Sequence, residues 1–189
     1  MPPEIRFCRR CGASTTMRVP AMEDRERAVC PNCGYIDYVN PVSVVGTVPV
    51  WDGGSGEPRI LLCLRAIEPR RGFWTLPAGF LEVGETTQQG AIRETLEEAG
   101  ARVEIEGLFS VLDVVRVAQV HLFYRARLLD LDLSPGLETI ENRLVTVADI
   151  PWDEIAFHSV SHTLRAWVDD VERGVFGVHT AAITRPLPR

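Results

Sequence analysis

Three carboxylates fall on one face of a predicted helix, and such a face must either stay in solvent or have its charge offset. Glu94, Glu97 and Glu98 are spaced i, i+3, i+4, so an α-helix brings them together on one face. Their mutual repulsion costs about 0.2–0.5 kcal/mol per neighbouring pair on an exposed helix. A hard divalent cation such as Mg²⁺ or Mn²⁺ would offset that repulsion with oxygen ligands. Taken alone, such a cluster is more often a solvated acidic face, here with Arg93 paired to Glu97.

The ends of this helix are also marked in the sequence. Thr86 with Gln89 three residues later fits a capping box, and Gly100 is placed to end the helix. We therefore predict a helix over residues 86–99. The stripe beside the carboxylates is expected to face the core, and it consists of Ala91, Ile92, Thr95, Leu96 and Ala99.

Four of the five cysteines form two closely spaced pairs near the N-terminus. A two-residue spacer lets both thiolates of a pair face one ion, and a glycine follows each pair where a tight turn is needed. The pattern predicts a zinc ribbon, with redox-active pairs as the alternative. Four thiolates close the coordination shell, so the Zn²⁺ is expected to be structural, held by Cys8, Cys11, Cys30 and Cys33. The fifth cysteine, Cys63, lies in an apolar run and is expected to be buried.

The cysteine segment and the rest of the chain have different compositions. Residues 1–38 contain too few apolar side chains for a core of their own, and residues 39–189 are predicted to form one domain. Strands dominate its middle and helices are few and separated, which favours an α+β fold. The predicted elements are strands over residues 42–51 and 59–65 joined by a hairpin turn, a second antiparallel pair over 102–116 and 120–129, a short strand over 144–147 and a helix over 157–174.

Composition and charge limit the partners of the protein. The chain of 189 residues is 46% hydrophobic and 24% charged, as in ordinary soluble proteins, and no apolar run is long enough to span a membrane. The N-terminus lacks an apolar signal core, so a cytoplasmic location is expected. A net charge of −6 makes duplex nucleic acid an improbable partner, because the overall field repels phosphate backbones.

The segment around the acidic helix resembles a known motif. Residues 79–101 have the arrangement Gly-x5-Glu-x7-Arg-Glu-x2-Glu-Glu-x-Gly-x, which resembles the Nudix box at every charged and glycine position. Thr95 and Ala101 depart from it, because bulky aliphatic residues are usual there. The resemblance implies a Nudix α/β/α sandwich with a small N-terminal zinc ribbon. It also implies divalent-metal-dependent hydrolysis of a diphosphate bond in a small-molecule nucleotide.

The same resemblance implies roles for particular residues. Glu85 and Arg93 resemble an ion pair that orients the loop and the helix. The site for Mg²⁺ or Mn²⁺ would comprise the Gly79 carbonyl oxygen with the carboxylates of Glu94, Glu97 and Glu98.

The general base is left open between two parts of the sequence. Glu98 is one candidate, although a metal ligand is not free to accept a proton. Glu138 and Glu141 offer an alternative from a predicted later loop, and Glu141 is included among the candidate catalytic residues. Two exposed loop glutamates are the competing interpretation. No residue is assigned to substrate binding.

The resemblance also extends beyond the box. The zinc ribbon, Asn40-Pro41-Val42 and residues 74–79 and 150–157 resemble plant plastid FAD pyrophosphatases, which also act on ADP-ribose. FAD or ADP-ribose, giving AMP plus FMN or ribose 5-phosphate, is therefore the expected substrate. NAD(H) is less favoured, because residues 108–113 lack the signature of zinc-ribbon NADH pyrophosphatases. Nucleoside triphosphates, or a non-catalytic nucleotide-sensing regulator, are the alternatives, and a homodimer is expected because relatives are often dimers.

Overall fold

The computed structural model describes residues 5–53 and 56–184. The chain divides into two compact units, Met1–Pro41 and Val42–Arg189. No helix within these described residues has the length and apolar character needed to cross a membrane.

The first unit is built on a small antiparallel sheet. Its strands are β1 (Thr16–Arg18), β2 (Arg27–Val29) and β3 (Ile36–Asp37), in the order β1-β2-β3. Buried apolar side chains are few in this unit, and two of them are the cysteines Cys8 and Cys30. A core this small needs an additional cross-link or metal to be stable.

The second unit contains one mixed sheet and two helices. The sheet order is β10-β5-β4-β9-β8-β11, with β6 paired to β5 and β7 paired to β4. The elements are β4 (Val42–Trp51), β5 (Arg59–Arg65), β6 (Trp74–Thr75), β7 (Ala78–Phe80), α1 (Thr87–Ala99), β8 (Val103–Val114), β9 (Gln119–Leu128), β10 (Thr139–Val145), α2 (His158–Arg173) and β11 (His179–Ala182).

Strand β4 is shared between partners, and this sharing positions the site. It pairs in parallel with β9 along its length but with β5 only at Val50 and Trp51. Nearer the start of β4, strand β7 pairs with the same edge, and Gly79 lies opposite Val45. The predicted hairpin of β4 and β5 and the antiparallel pair of β8 and β9 are both present.

Each helix covers one face of the sheet. Successive side chains of a strand point to opposite faces. On β4, Val45 packs with Ala91 of α1, whereas Val48 packs in the cluster that contains Trp167 of α2. The predicted α/β/α arrangement is therefore correct.

The predicted ends of α1 are confirmed. Thr86 is the N-cap, its side chain accepts a hydrogen bond from the Gln89 backbone amide, and the Gln89 side chain accepts one from the Thr86 amide. Gly100 ends the helix in the left-handed conformation.

Part of the predicted core stripe of α1 is wrong. Ile92 and Leu96 are 37% and 51% exposed, whereas the smaller side chains of Ala91, Thr95 and Ala99 are fully buried. The helix packs on the sheet through these small residues, so the larger apolar side chains beside them are left outside. The hydrophobic pattern alone therefore does not show which residues of the stripe are buried against the sheet.

Strand β10 begins earlier than predicted. It starts at Thr139 rather than Leu144, because residues 139–145 form an antiparallel ladder with β5. The added residues are mostly polar and partly exposed, so their sequence lacked the apolar pattern of a strand. As a consequence Glu141 lies on a strand and not in a loop.

Candidate active site

The four paired cysteines form a cluster in the first unit. Their Sγ atoms lie within 4.8 Å of one another, with Cys8 3.6 Å from Cys33 and Cys11 3.5 Å from Cys30. Tetrahedral Zn²⁺ with Zn–S bonds of about 2.3 Å would place sulfurs roughly 3.8 Å apart, so the donor set fits this ion.

Two similar turns carry these cysteines. The Gly12 amide donates to the Cys8 carbonyl and the Gly34 amide to the Cys30 carbonyl, each over 2.9 Å. Hydrogen bonding from the Ala13 backbone and the Asn32 side chain lowers the pKa of Cys11 to about 6, whereas burial and the neighbouring thiols raise the pKa of Cys33 to about 12.

In the second unit, Arg93 connects α1 to the loop before it. Its Nε and Nη2 atoms donate to the two carboxylate oxygens of Glu85 over 3.0 and 2.7 Å, and Nη2 also donates to the Phe80 carbonyl. The ion pair with Arg93 and the Glu82 amide lower the pKa of Glu85 to about 2. The loop that follows β7 is therefore joined to the helix by a bidentate ion pair.

Gly79 lies directly against the carboxylate of Glu94. A Cβ at position 79 would stand 2.3 Å from the Glu94 carboxyl carbon, so any larger residue would force this carboxylate to move. The Glu94 side chain is 12% exposed, and burial raises its pKa. The main chain of Gly79 and this carboxylate therefore share one small space, as the predicted metal ligands require.

Glu98 is the most buried carboxylate of the cluster. It is 7% exposed, burial raises its pKa to about 8, and the Ala78 amide donates to it over 3.3 Å. The negative charges of Glu94 and Glu138 add to this rise, whereas Arg65 opposes it. A nearby cation would relieve this desolvated charge, so the donor set fits a hard divalent ion.

The C-terminal end of α1 is held by the segment before β10. The Ser134 amide and the Asn142 side chain both donate to the Ala99 carbonyl over 2.9 Å, and the Gly136 amide donates to the Glu98 carbonyl over 2.9 Å. A Cβ at Gly136 would stand 1.8 Å from the Glu97 carbonyl oxygen. This close packing brings the turn that carries Glu138 to the carboxylate cluster.

The two candidate later glutamates have different surroundings. The negative charge of Glu138 raises the pKa of Glu94, of Glu98 and of Arg65. Glu141 projects from β10 and pairs with Arg143 over 2.8 Å, with a side chain that is 45% exposed. The carboxylate that joins the cluster is Glu138, and a catalytic role for Glu141 stays a prediction.

Arg65, at the end of β5, lies beside the acidic cluster but was not predicted from the sequence as a site residue. Its guanidinium carbon lies 4.9 Å from the centre of the Phe157 ring, and its Nε donates to the Pro69 carbonyl over 3.0 Å. Burial lowers its pKa, opposed by Glu98, Glu138 and Glu68. No short-range pattern marks a residue whose position depends on strand pairing.

The α1 carboxylates are not arranged as tightly as the cysteines. Over residues 5–53 and 56–184, the cysteine cluster is the group of metal-binding side chains with all ligand atoms this close. Arg93 Nη1 donates to both Glu94 and Glu97, over 2.6 and 3.3 Å, and thereby partly neutralises them. His158 and His162 belong to no such group in the same part of the chain.

The aromatic residues near the motif differ in exposure. Trp74, Phe123 and Tyr124 are buried in the core, whereas Phe80 is 54% exposed. Phe73 is partly covered by the guanidinium of Arg70, 3.7 Å from the ring centre.

Several known proteins are similar to this chain in sequence, in fold or in both. A NUDIX hydrolase from Nitrosomonas europaea is 44% identical over 95% of this chain and 99% of its own, with a TM-score of 0.89. A MutT-like protein from Streptomyces ambofaciens is 34% identical, over 62% of this chain and 68% of its own. An NAD-capped RNA hydrolase from Haemophilus influenzae is 35% identical, but the match spans only 35% of that protein.

Family models match both parts of the chain. The model described as Nudix N-terminal matches residues 6–39, and the NUDIX domain model matches residues 41–168. An ADP-ribose pyrophosphatase from Streptococcus suis has the same fold at 21% identity, with a TM-score of 0.58 over 75% of this chain. The chain is therefore a Nudix hydrolase with an N-terminal zinc-ribbon segment.

Proposed function

We propose that this protein hydrolyses the diphosphate bond of FAD or ADP-ribose, giving AMP plus FMN or ribose 5-phosphate. The observation that carries the proposal is the buried Glu98 carboxylate, grouped with Glu94 beside the close approach of Gly79. Such a desolvated acidic group suits a polyanionic substrate only if cations accompany it.

Mg²⁺ or Mn²⁺ is the proposed cofactor. Glu94, Glu97 and Glu98 with the Gly79 carbonyl would hold it, and Arg93 would have to yield part of its contact with the first two. When bound, such a cation neutralises charge on the diphosphate and lowers the pKa of an attacking water.

Glu138 is the proposed general base. It is close enough to influence Glu94 and Glu98 electrostatically, but it projects from a separate segment. Because Glu138 is not one of the proposed metal ligands, its carboxylate is available to accept a proton from water. Glu98 and Glu141 are the alternative bases.

Arg65 is the proposed contact for the substrate phosphates. It supplies a guanidinium beside the acidic cluster and rests on the Phe157 ring. Arginine suits the oxygens of a phosphate because its planar donors form paired hydrogen bonds. This positive charge would hold the diphosphate in line with the attacking water.

The substrate class rests on the resemblance of the flanking segments to FAD and ADP-ribose pyrophosphatases, and an ADP-ribose pyrophosphatase shares the fold. The NAD-capped RNA hydrolase among the relatives favours a second candidate, an NAD-containing substrate. Hydrolysis of the diphosphate bond in FAD, ADP-ribose or free NAD(H) releases AMP in each case, so the substrate itself distinguishes the candidates.

The test is a substrate panel with purified full-length protein. FAD, ADP-ribose, NADH, diadenosine polyphosphates and nucleoside triphosphates are incubated with Mg²⁺ or Mn²⁺, and AMP and phosphate release are measured beside a Glu97→Gln, Glu98→Gln control. AMP release from FAD or ADP-ribose that is lost in the control supports the proposal. Turnover restricted to NADH or nucleoside triphosphates, or no metal-dependent turnover, contradicts it.

Zinc is proposed to be structural, and a homodimer is the proposed assembly. Four thiolates leave no position for a reacting water. A symmetric dimer is the commonest oligomer, and sedimentation equilibrium would distinguish it from a monomer.

A further inference from the structure

The start of α2 is brought to the proposed active site through β6. Trp74 of β6 pairs with β5 next to Arg65, and it also forms a parallel bridge with Ile155. The Ala156 amide donates to the Trp74 carbonyl over 2.8 Å. These contacts place Phe157, the N-cap of α2, against the end of β5, although the two segments are far apart in the sequence.

The side chain of Phe157 does not cap the helix. Ser, Thr, Asp and Asn are preferred at an N-cap because their side chains accept from the amides of the first turn, and a phenyl ring cannot do so. The ring is partly buried and packs against the core cluster that contains Trp167. The guanidinium carbon of Arg65 lies over it, 4.9 Å from its centre, which is within the range of an attractive cation–π contact.

The chain around Arg65 holds the rest of this residue. Its Nε donates to the Pro69 carbonyl over 3.0 Å. Its backbone amide donates to the Phe73 carbonyl over 3.0 Å, and its own carbonyl accepts from the Gly72 amide over 2.9 Å. With the Nε proton given to Pro69 and the ring of Phe157 against the guanidinium, the two terminal amino groups are what the side chain can offer to an anion. Such a fork matches two oxygens of a phosphate.

The guanidinium of Arg65 lies beside the acidic cluster. Arg65 is opposite Thr139 of β10, and the amide of the next residue, Ala66, donates to the Glu138 carbonyl over 2.8 Å. Burial lowers the pKa of Arg65, and the charges of Glu98 and Glu138 oppose this effect. A long side chain beside two carboxylates has several conformations of similar energy, so a contact that restricts it reduces the entropy lost when a substrate binds.

We propose that Phe157 is a positioning residue for the hydrolysis, and that its ring directs the guanidinium of Arg65 at the diphosphate of the substrate. The inference rests on the proposed function, because it takes Arg65 to be the contact for the substrate phosphates. The competing interpretation is that Phe157 only fills the core cluster. Removal of its ring would then have the same effect whether or not the guanidinium of Arg65 is present.

The test is a double-mutant cycle on the binding of α,β-methylene-ADP, a nucleoside diphosphate whose bridge between the phosphates cannot be hydrolysed. Full-length, zinc-loaded protein is titrated with this probe by isothermal titration calorimetry at saturating Mg²⁺. We expect Phe157→Leu to weaken binding about three- to tenfold when Arg65 is present, because the contact between ring and guanidinium is lost. The same substitution should have no further effect in Arg65→Gln. Phe157→Tyr keeps the ring and should retain the wild-type affinity.

The matched control is a second pair of phenylalanine and arginine. Phe176→Leu removes a ring that lies 4.0 Å from the guanidinium carbon of Arg125, and it should leave the affinity unaltered. An equal loss from Phe157→Leu in both backgrounds, or no loss in either, would overturn the positioning role of Phe157 and leave the proposed function standing. Wild-type protein that does not bind the probe, or Arg65→Gln that binds it as tightly as the wild type, would instead remove the phosphate contact on which the inference rests.

Discussion

At the scale of single residues, the backbone of Gly79 lies so close to Glu94 that a side chain at position 79 would displace this carboxylate. We expect Gly79→Ala to reduce metal-dependent hydrolysis at least about 10²-fold, because displacing a catalytic group by about 1 Å has that effect. Gly107→Ala is the matched control, since a Cβ there meets no atom within 4 Å. Equal activity of the two variants, measured as kcat, would show that the close approach is unimportant.

A second residue-scale prediction separates the two later glutamates. Glu138→Gln should lower kcat roughly 10²- to 10⁴-fold, the usual contribution of a general base. Glu141→Gln should change kcat only a few-fold, because Glu141 pairs with Arg143 at the surface. Steady-state kinetics on both variants decides the point, and a larger loss for Glu141→Gln would restore that residue as the base.

The candidate site was only partly predictable at this scale. Spacing alone grouped Glu94, Glu97 and Glu98, because a helix fixes neighbours within one turn. Arg65 and Glu138 join them through strand pairing and through the packing of Gly136 on α1. Contacts between distant segments have no local signature, so the sequence left the base open and omitted the arginine.

At the scale of elements, a buried hydroxyl pair joins α1 to β4. Thr47 Oγ1 lies 2.6 Å from Thr95 Oγ1, and both residues are fully buried. Thr95→Val should lower the free energy of unfolding by about 1–3 kcal/mol, because it leaves the Thr47 hydroxyl without its side-chain partner. Adding Thr47→Val should recover most of that loss. Urea unfolding of the wild type, the two single variants and the double variant measures these free energies. Losses that simply add in the double variant would contradict the pairing.

Asp170 of α2 fastens the helix to the segment that leads into β11. It is 1% exposed, and its carboxylate is bonded by the Gly177 amide over 3.0 Å, by His179 Nε2 over 2.7 Å and by Arg173. We expect Asp170→Asn to lower the free energy of unfolding by about 1–3 kcal/mol at neutral pH.

The same carboxylate predicts a pH dependence. Burial alone would raise the pKa of Asp170, but the contacts with His179, Gly177 and Arg173 lower it below the usual value. The stabilisation is therefore complete above the unfolded pKa of about 3.9 and is lost as the pH falls through the lower folded pKa. The difference in unfolding free energy between wild type and Asp170→Asn should shrink below about pH 4. A difference that stays constant would refute the assignment.

The helices and strands were more predictable than the start of β10 and the exposure of individual helix residues. Capping residues and glycine placed both ends of α1, because these signals act within a few residues. The start of β10 and the exposure of Leu96 depend on what packs beside them. A partly exposed polar strand and a helix that packs through small residues have weak hydrophobic patterns.

At the scale of the whole molecule, the two units are stabilised differently. The cysteine cluster stands in a unit with few buried apolar residues, whereas the second unit has an extensive core. Metal analysis should find one Zn²⁺ per chain, and Cys11→Ser should lower that content and unfold the ribbon segment, observed as loss of its amide signals in NMR. Full order of the ribbon after zinc removal would contradict a structural role for the metal.

We infer that the α1 carboxylates hold a divalent cation beside Gly79, and Mn²⁺ binding followed by electron paramagnetic resonance tests this claim. The zinc-loaded wild type is titrated beside Glu97→Gln, Glu98→Gln, with Glu104→Gln as a control on an exposed strand residue of the same unit. We predict stoichiometric binding to the wild type and the control, and an affinity at least about tenfold weaker in the double variant. Equal Mn²⁺ affinity in all three proteins would contradict the claim.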